Sequence, residues 1–409
     1  MINILIISII STYVVTKLFL DINQINYINN TKTSNEELAE LNLTNDYIAT
    51  SNSYNIEKLC LSVVNLIIQI LIILFFLFFN GIEVLRTFVL NLNIKSVDSE
   101  ILIVVSFMVI LIFIKLPLAF YKTFKIEEKY GFNRTSKGLF FKDTFLSILI
   151  SVLITIILFK SFMFLYYNYE ESWWYLMWAV FMIFNFIILY IYPTLISPIF
   201  NKFKKITDIK IINVINDLTE KTKFNIQDVY VMDGSKRSKH SNAYFTGFYK
   251  NKRIVFFDTL LEMLNVEEIK SVLAHEIGHY KKKHIIKSLY ISMIISLIIL
   301  YALYILSSVP SFFSVFGITN VTPAILVIVY SLLLPLVAFF SSPFLSSFSR
   351  MNEYEADNFA KEYANKNALI SSLLKLYKEN LSIIKSSPIY SKFYNSHPTV
   401  FERINNLKS

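Results

Sequence analysis

The sequence predicts a mainly α-helical integral membrane protein with seven transmembrane helices and a small soluble α+β domain. Of its 409 residues, 55% are hydrophobic, 17% are charged and seven are glycine. A soluble domain of this size would carry more charge and more glycine. The apolar residues fall into blocks of about 20, the length that crosses a bilayer. Two longer polar segments, residues 201–283 and 350–409, remain to form the soluble domain.

The apolar blocks define seven candidate spans. They lie at residues 2–20, 59–79, 101–121, 144–167, 173–192, 285–307 and 322–345. The polar stretch 21–57 and the charged stretch 122–143 are expected to be loops. The chain therefore divides into four parts, which are spans one to five with their loops (1–200), a soluble segment (201–284), spans six and seven (285–349) and a C-terminal segment (350–409).

The first soluble segment has the pattern of a mixed α+β unit. Residues 211–222 are expected to be helical and residues 228–232 to form a strand. Residues 242–249 and 253–258 alternate in polarity, which predicts a hairpin turning around residues 250–251. The helix that follows is expected to run without a break into the sixth span.

The distribution of charge predicts the topology. Lysine and arginine are frequent in residues 122–143 and in both soluble segments, whereas the turns at 170–171 and 308–320 have none. The positive-inside rule then places both soluble segments in the cytoplasm. The net charge of +9 is interpreted as loop lysines facing an anionic leaflet, not as nucleic-acid binding. Cys60 is the single cysteine, which excludes intrachain disulfides and cysteine-based zinc sites.

The motif His275-Glu276-Ile277-Gly278-His279 carries the chemistry. Residues four apart on a helix share a face, so His275 and His279 can bind one metal ion. Zinc accepts two such nitrogens and needs a further protein ligand plus water in a catalytic site. Glu276 lies beside the pair, where its carboxylate can take a proton from that water. Asn265 is suited to cap the helix that holds them.

The third zinc ligand is predicted after the seventh span. Glu353 and Asp357 are four residues apart and share one helical face. Glu353 can complete the ligand set, while Asp357 can brace a ligating imidazole. The alternative for Glu353 is a solvated charge near the membrane. Glu355 is expected to point away from this face.

The other histidines are weaker candidates. His284 is expected to turn off the ligand face and to be an interfacial or cavity residue. His397 can donate a hydrogen bond to the oxyanion that forms during peptide attack, or it can simply precede a helix that starts at Pro398. His240 follows a basic run at 235–239 and is expected to have a loop role.

These motifs resemble the integral-membrane type I CAAX prenyl endopeptidases, which include the a-factor-converting and prelamin-processing enzymes. The similarity covers nearly the whole chain and extends beyond the zinc motif. It rests on HEIGH at 275–279, SR at 349–350 with EYEAD at 353–357, SHPT at 396–399, SKRS at 235–238, HSNAYF at 240–245, EEKYGFN at 127–133 and the segment 192–203.

The resemblance implies a barrel of seven spans around a hydrated chamber, closed on one side by the zinc domain. It implies that Glu353 is the third ligand, with Asp357 and Arg350 supporting the ligands. It also implies that Asn242-Ala243-Tyr244 is an edge strand pairing with the substrate backbone, as unpaired edge groups allow. One departure is Glu355, where the family often has glutamine, and this residue is expected not to touch the chemistry.

The predicted function is zinc-dependent hydrolysis of a peptide bond, with Glu276 as the base. The resemblance implies prenylated CaaX substrates, cut after the lipidated cysteine. The charge distribution places the site on the cytoplasmic side, and the expected membrane is the endoplasmic reticulum membrane of a eukaryote or the cytoplasmic membrane of a bacterium. One alternative is a quality-control protease for membrane proteins without a prenyl group. Another is a non-enzymatic scaffold or transporter with structural zinc, but such a site needs four protein ligands and three are found.

Overall fold

The computed structural model describes residues 2–31, 33–93, 95–224, 228–246 and 253–409. Within these ranges the chain is mostly helical. The helices are α1 (Ile2–Asn30), α2 (Asn35–Glu40), α3 (Asn45–Ile73), α4 (Gly81–Leu90), α5 (Ser96–Tyr121), α6 (Lys137–Asn168), α7 (Trp173–Ile191), α8 (Ser197–Phe200), α9 (Ile209–Thr222), α10 (Asp258–Met263), α11 (Val266–Lys281), α12 (His284–Ser307), α13 (Pro310–Ser314), α14 (Pro323–Ala338), α15 (Ser342–Tyr363), α16 (Lys366–Glu379), α17 (Pro388–Tyr394) and α18 (Val400–Lys408).

Seven helical stretches are long and apolar enough to cross a membrane, as the sequence predicted. Three of them are extended by π-helical turns, at Leu74–Phe78, Lys122–Glu127 and Tyr192–Ile196. The spans begin with α1, α3, α5, α6, α7, α12 and α14, and the last is continuous with α15.

These spans close into a ring. Each packs against the next, from α1 through α3, α5, α6 and α7 to α12. The Tyr330 hydroxyl of α14 donates to the Ile299 carbonyl of α12 at 2.7 Å, and α14 packs against α1. At most 39% of the most apolar window of any span is buried within the structure.

An apolar core closes one end of this ring. In this core, the start of α5 and the start of α7 meet the end of α6 and the end of α12. Most of α14 and the short helices α4 and α13 also contribute to it. Its buried residues include Phe107, Phe162, Trp173, Leu303 and Phe313. Helix α12 runs from His284, beside the zinc motif, to Ser307 in this core. The end of the ring that this apolar core closes therefore lies opposite the soluble domain.

The soluble domain at the other end is built from both polar segments. Its sheet has the order β1-β2-β4-β3, with β2 and β4 parallel and the outer pairs antiparallel. The strands are β1 (Phe203–Lys205), β2 (Asp228–Met232), β3 (Ala243–Thr246) and β4 (Arg253–Phe257). One buried core joins α9, β4 and α11 to α15, α16 and α18, so the two segments fold together.

Three expectations about local structure are wrong. The charged stretch 122–143, expected to be a loop, is helical at Lys122–Glu127 and again from Lys137 onward, because it continues the third span and begins the fourth. The stretch 21–57 is mostly helical, because α1 continues to Asn30 and α3 already begins at Asn45. The zinc-motif helix also does not run straight into the sixth span. Lys283 adopts a left-handed backbone with φ 60° and separates α11 from α12. Strands β3 and β4 pair as expected, while the predicted turn at 250–251 lies outside the described residues.

Candidate metal centre

Helix α11 presents the two motif histidines on one face. Asn265 caps it, since its side-chain oxygen accepts from the Glu268 backbone N–H at 3.0 Å while the Glu268 carboxylate accepts from the Asn265 N–H at 2.8 Å. This reciprocal capping box fixes where the helix starts. One turn separates His275 from His279, and their Nε2 atoms lie 3.1 Å apart.

A close helix crossing brings the third candidate ligand to this face. A Cβ built on Gly278 would stand 3.1 Å from both the Cα and the carbonyl oxygen of Ala356, so glycine lets α15 approach α11 at backbone distance. Ala356 is completely buried at this contact. Glu353 and Asp357, on either side of it, therefore reach the histidines.

His275, His279 and Glu353 offer ligand atoms that all lie within 4.8 Å of one another. Glu353 Oε1 is 3.3 Å from His279 Nε2, and its Oε2 is 3.6 Å from His275 Nε2. A tetrahedral zinc ion with bonds of about 2.0–2.1 Å separates its ligands by roughly 3.3 Å. Glu353 Oε2 is buried and has no hydrogen-bond partner among the described residues. The donor set and this orphaned oxygen fit a metal ion.

The Nδ1 atom of His275 is held by a buried ion pair. Asp357 Oδ1 lies 2.9 Å from it, and the Asp357 side chain is fully buried. Arg403 of α18 donates two hydrogen bonds to the same carboxylate, of 2.6 and 2.8 Å. Burial opposes protonation of His275, but hydrogen bonds with Asp357 and Glu353 outweigh it and raise its pKa to about 9. Asp357 therefore orients the ring with Nε2 toward the metal position.

The Nδ1 atom of His279 has a partner of its own. His284 Nδ1 lies 2.9 Å away, and His284 Nε2 lies 2.9 Å from Glu355 Oε2. If His279 offers its Nε2 lone pair to a metal, its Nδ1–H donates to His284, whose Nε2–H then donates to Glu355. Lys287 also donates to Glu355, at 3.1 Å. His284 thus braces His279 as Asp357 braces His275.

Glu276 and His397 line the same cavity as His275 and Glu353. Burial raises the pKa of the Glu276 carboxyl above its ordinary value, which improves a carboxylate as a proton acceptor. His397 Nε2 is 3.4 Å from Glu353 Oε1, and its Nδ1 is 3.0 Å from the Ser396 hydroxyl. The His397 side chain is 61% exposed, and a neutral ring there can donate one N–H.

Comparison with known proteins identifies the family of this chain. Residues 205–409 match Peptidase family M48, and residues 24–202 match the family described as CAAX prenyl protease N-terminal, five membrane helices. The chain belongs to peptidase family M48. It is an integral multi-pass membrane metalloendopeptidase, and the interpretation as a scaffold or transporter is not favoured.

Several members of the family are similar over most of their length. CAAX prenyl protease 1 of Saccharomyces cerevisiae is 35% identical over 312 residues, covering 72% of this chain and 68% of the relative. The Homo sapiens CAAX prenyl protease 1 homolog is 32% identical over 338 residues, covering 72% and 70%. The crystal structure of S. mikatae Ste24p superposes with a TM-score of 0.90 at 27% identity, covering 99% of this chain and 98% of that one.

The predicted substrate strand lies partly at the metal cavity. Strand β3 forms an edge of the sheet, and Asn242 and Ala243 line the cavity of about 350 Å³ that contains His275, Glu276 and Glu353. Tyr244 is not among the residues that line it. Its ring packs edge-on against Phe257, with centroids 6.3 Å apart.

Arg350 supports the site at a distance from the ligands. Its Nη1 donates to the carbonyls of Ser391 and Asn395, at 3.0 and 2.8 Å. These carbonyls lie just before Ser396-His397, so Arg350 holds the segment that delivers His397. Among the described residues, Arg350 has no hydrogen bond to Glu353 or Asp357, so it contacts the segment before His397 and not the candidate ligands.

His240 has a defined packing environment. Its ring stacks on Phe132 with centroids 4.1 Å apart. Its Nδ1 is 3.0 Å from Asn380 Oδ1, and its Nε2 is 3.3 Å from Glu127 Oε2. His240 therefore ties the segment before β3 to α16 and to the end of the third span.

Sequence reasoning missed three residues of this centre, namely His284, Glu355 and Arg403. Helical geometry from α11 alone pointed His284 away, but the break at Lys283 returns it to His279. Glu355 was expected to avoid the chemistry, yet it anchors His284. The sequence around Arg403 contains no pattern that indicates a role at this centre, apart from its position after the SHPT motif. Only the tertiary fold brings α18 to Asp357.

Proposed function

We propose that this chain is a zinc-dependent endopeptidase that releases the C-terminal tripeptide of prenylated CaaX proteins. The observation that carries the proposal is one cavity lined by His275, Glu276, Glu353 and the first residue of edge strand β3. This cavity lies in the soluble domain, at the end of the ring of membrane helices opposite the apolar core. The curated relatives named as CAAX prenyl protease 1 support the substrate class.

His275, His279 and Glu353 would hold one zinc ion. When bound, zinc makes a water molecule more acidic and polarises the scissile carbonyl. Three protein ligands leave one position open for water or substrate, as catalytic sites require.

The remaining chemistry falls to side chains of this chain. Glu276 takes a proton from the attacking water and passes it to the leaving amine. His397 donates its N–H to the oxygen on which negative charge develops. Asn242 and Ala243 present backbone groups along which an extended substrate can pair as an added strand.

The ring of spans suits a lipid-modified peptide. An isoprenyl group can stay in apolar surroundings while the attached peptide reaches Glu276. Following the charge distribution, we place the soluble domain in the cytoplasm, on the endoplasmic reticulum membrane of a eukaryotic cell or the cytoplasmic membrane of a bacterium. A reporter fused after Ser409 should be digested by protease added to the cytoplasmic face, and its protection there would reject this orientation.

The substrate test compares two peptides that differ only in a farnesyl group on the CaaX cysteine. Purified protein in detergent or liposomes should release the tripeptide from the farnesylated peptide with the higher kcat/KM. Equal rates on both peptides would contradict prenyl recognition and favour the quality-control protease. Loss of cleavage with a chelator, and its return with zinc, would support the metal assignment.

A further inference from the structure

A second cavity adjoins the metal cavity. It has a volume of about 470 Å³, which is within the range of small-ligand sites. The two cavities share part of their walls, formed by Tyr377, Asn380, Ser382 and His397. A peptide bound at the metal can therefore extend past His397 into this space.

Among the described residues that line the second cavity, Lys58 is the only lysine or arginine. In the part of the chain that the structure describes, the other lining side chains are apolar, hydroxyl or amide groups, plus His397, and none is an aspartate or a glutamate. A polar cavity with one cation and no acid favours an anionic ligand.

The ammonium group of Lys58 has no carboxylate partner within salt-bridge distance among the described residues. Its Nζ lies 4.7 Å from the centroid of the Tyr54 ring. The nearby Glu127 is engaged elsewhere, because it accepts from the Tyr54 hydroxyl at 3.0 Å and contacts His240. It acts on Lys58 only at longer range. Behind the cavity wall, the Ser62 hydroxyl donates to the buried Asp21 at 3.0 Å.

A lysine near the end of a membrane span usually reaches for the bilayer interface. Lys58 is in such a position on α3, immediately before the apolar block at 59–79. It instead shares a cavity with Tyr377 and His397, which belong to the soluble domain. Its environment is therefore the space between the ring and the catalytic domain.

We propose that Lys58 binds the C-terminal carboxylate of the substrate and so fixes the cut three residues from the end. This inference rests on the proposed function, because it assigns the far end of the released tripeptide. Three extended residues span about 10 Å, so an anchored carboxylate sets which peptide bond lies at Glu276. The neighbouring amides and hydroxyls of Asn380 and Ser382 supply polar surroundings for that backbone.

The test uses farnesylated CaaX peptides with either a free C-terminal carboxylate or a carboxamide. The wild-type protein should prefer the carboxylate by about 10- to 100-fold in kcat/KM, the value of a hydrogen bond to a charged group. Lys58→Ala and the near-isosteric Lys58→Gln should lower this ratio toward one. Lys58→Arg should keep most of it. Lys160→Ala, which removes a lysine outside the cavity, should keep it all.

The two hypotheses fail in different ways. A wild-type carboxylate preference that survives in folded, metal-loaded Lys58→Ala and Lys58→Gln overturns the Lys58 assignment and leaves the protease assignment intact. A wild-type kcat/KM ratio near one between the carboxylate and carboxamide peptides also overturns the Lys58 assignment and leaves the protease assignment intact. If the wild-type protein cleaves neither farnesylated peptide, the proposed function fails, and the Lys58 assignment falls with it.

Discussion

The Nδ1 atom of His284 lies 2.9 Å from the Nδ1 atom of His279, across the break between α11 and α12. This contact gives each candidate ligand imidazole its own supporting pair. His284 and Glu355 lie behind His279, and Asp357 and Arg403 lie behind His275. The left-handed residue Lys283 creates the geometry, because an unbroken helix would carry His284 off the ligand face.

Replacing His284 by alanine should weaken metal binding by about 10- to 100-fold, the usual effect of losing a partner behind a ligand. Competition against a chelator of known affinity measures it on the purified protein. His240→Ala is the matched control, since His240 contacts Glu127 and Asn380 and not the metal cluster. Equal affinities for His284→Ala and the wild type would show that this contact does not serve the metal.

Gly278→Ala should separate α11 from α15. The added Cβ meets backbone atoms of Ala356 at 3.1 Å, and overpacking of this kind costs about 1–3 kcal/mol. Both the melting temperature and metal retention should fall, because Glu353 moves with α15. Gly138→Ala is the control: a Cβ there has nothing within 4 Å, so this helical substitution should be neutral or mildly stabilising. Similar behaviour of the two variants would contradict the role of the close crossing.

Glu353→Ala should abolish metal retention, because it removes the carboxylate that completes the ligand set. Metal content after gel filtration is the measurement. Glu362→Ala, an exposed glutamate on the same helix, should keep full occupancy. Full occupancy in Glu353→Ala would point to a different ligand.

Glu268 should make the catalytic domain sensitive to acid. Its buried carboxylate accepts from Lys375 Nζ and the Ser371 hydroxyl, each at 2.7 Å, and caps the start of α11. Burial opposes its ionisation, but these donors outweigh burial and lower its pKa. A depressed folded-state pKa stabilises the fold above the unfolded value of about 4.3, and this stability is lost as the pH falls through the folded pKa.

Glu268→Gln should therefore melt below the wild type at pH 7, and the gap should narrow as the pH falls below about 4.3. The expected loss at pH 7 is about 1–3 kcal/mol, reduced by the partial exposure of Lys375. Glu267→Gln, in the same turn but exposed, should match the wild type at every pH. A gap that stays constant with pH would mean that the charge of Glu268 does not contribute.

Much of the fold and the candidate ligand set could be predicted, because both depend on local periodicity. The seven spans follow from apolar blocks, and the positions of His275, His279 and Glu353 follow from helical spacing. Asn265 was also predictable as a cap, since its side chain acts within three residues. The identity of Glu353 needed one further step, the requirement of zinc for a third ligand.

The remaining features depend on tertiary contacts that local patterns do not encode. The helices in 21–57 were missed because their polar residues resemble a loop, although they extend the spans beyond the membrane. Arg403 reaches Asp357 across 46 residues of sequence, and His284 reaches His279 only because Lys283 breaks the helix. The cavity beside Lys58 forms between two segments more than 300 residues apart, from α3 to α16.

The most direct test of the central claim is tripeptide release by Glu276→Gln, measured together with its zinc content. The substitution removes the proton acceptor and keeps His275, His279 and Glu353. We expect one zinc ion per chain, as in the wild type, with cleavage of the farnesylated peptide reduced by at least about 100-fold. Wild-type turnover in the zinc-loaded variant would contradict the assignment of Glu276 as the base and the mechanism built on it.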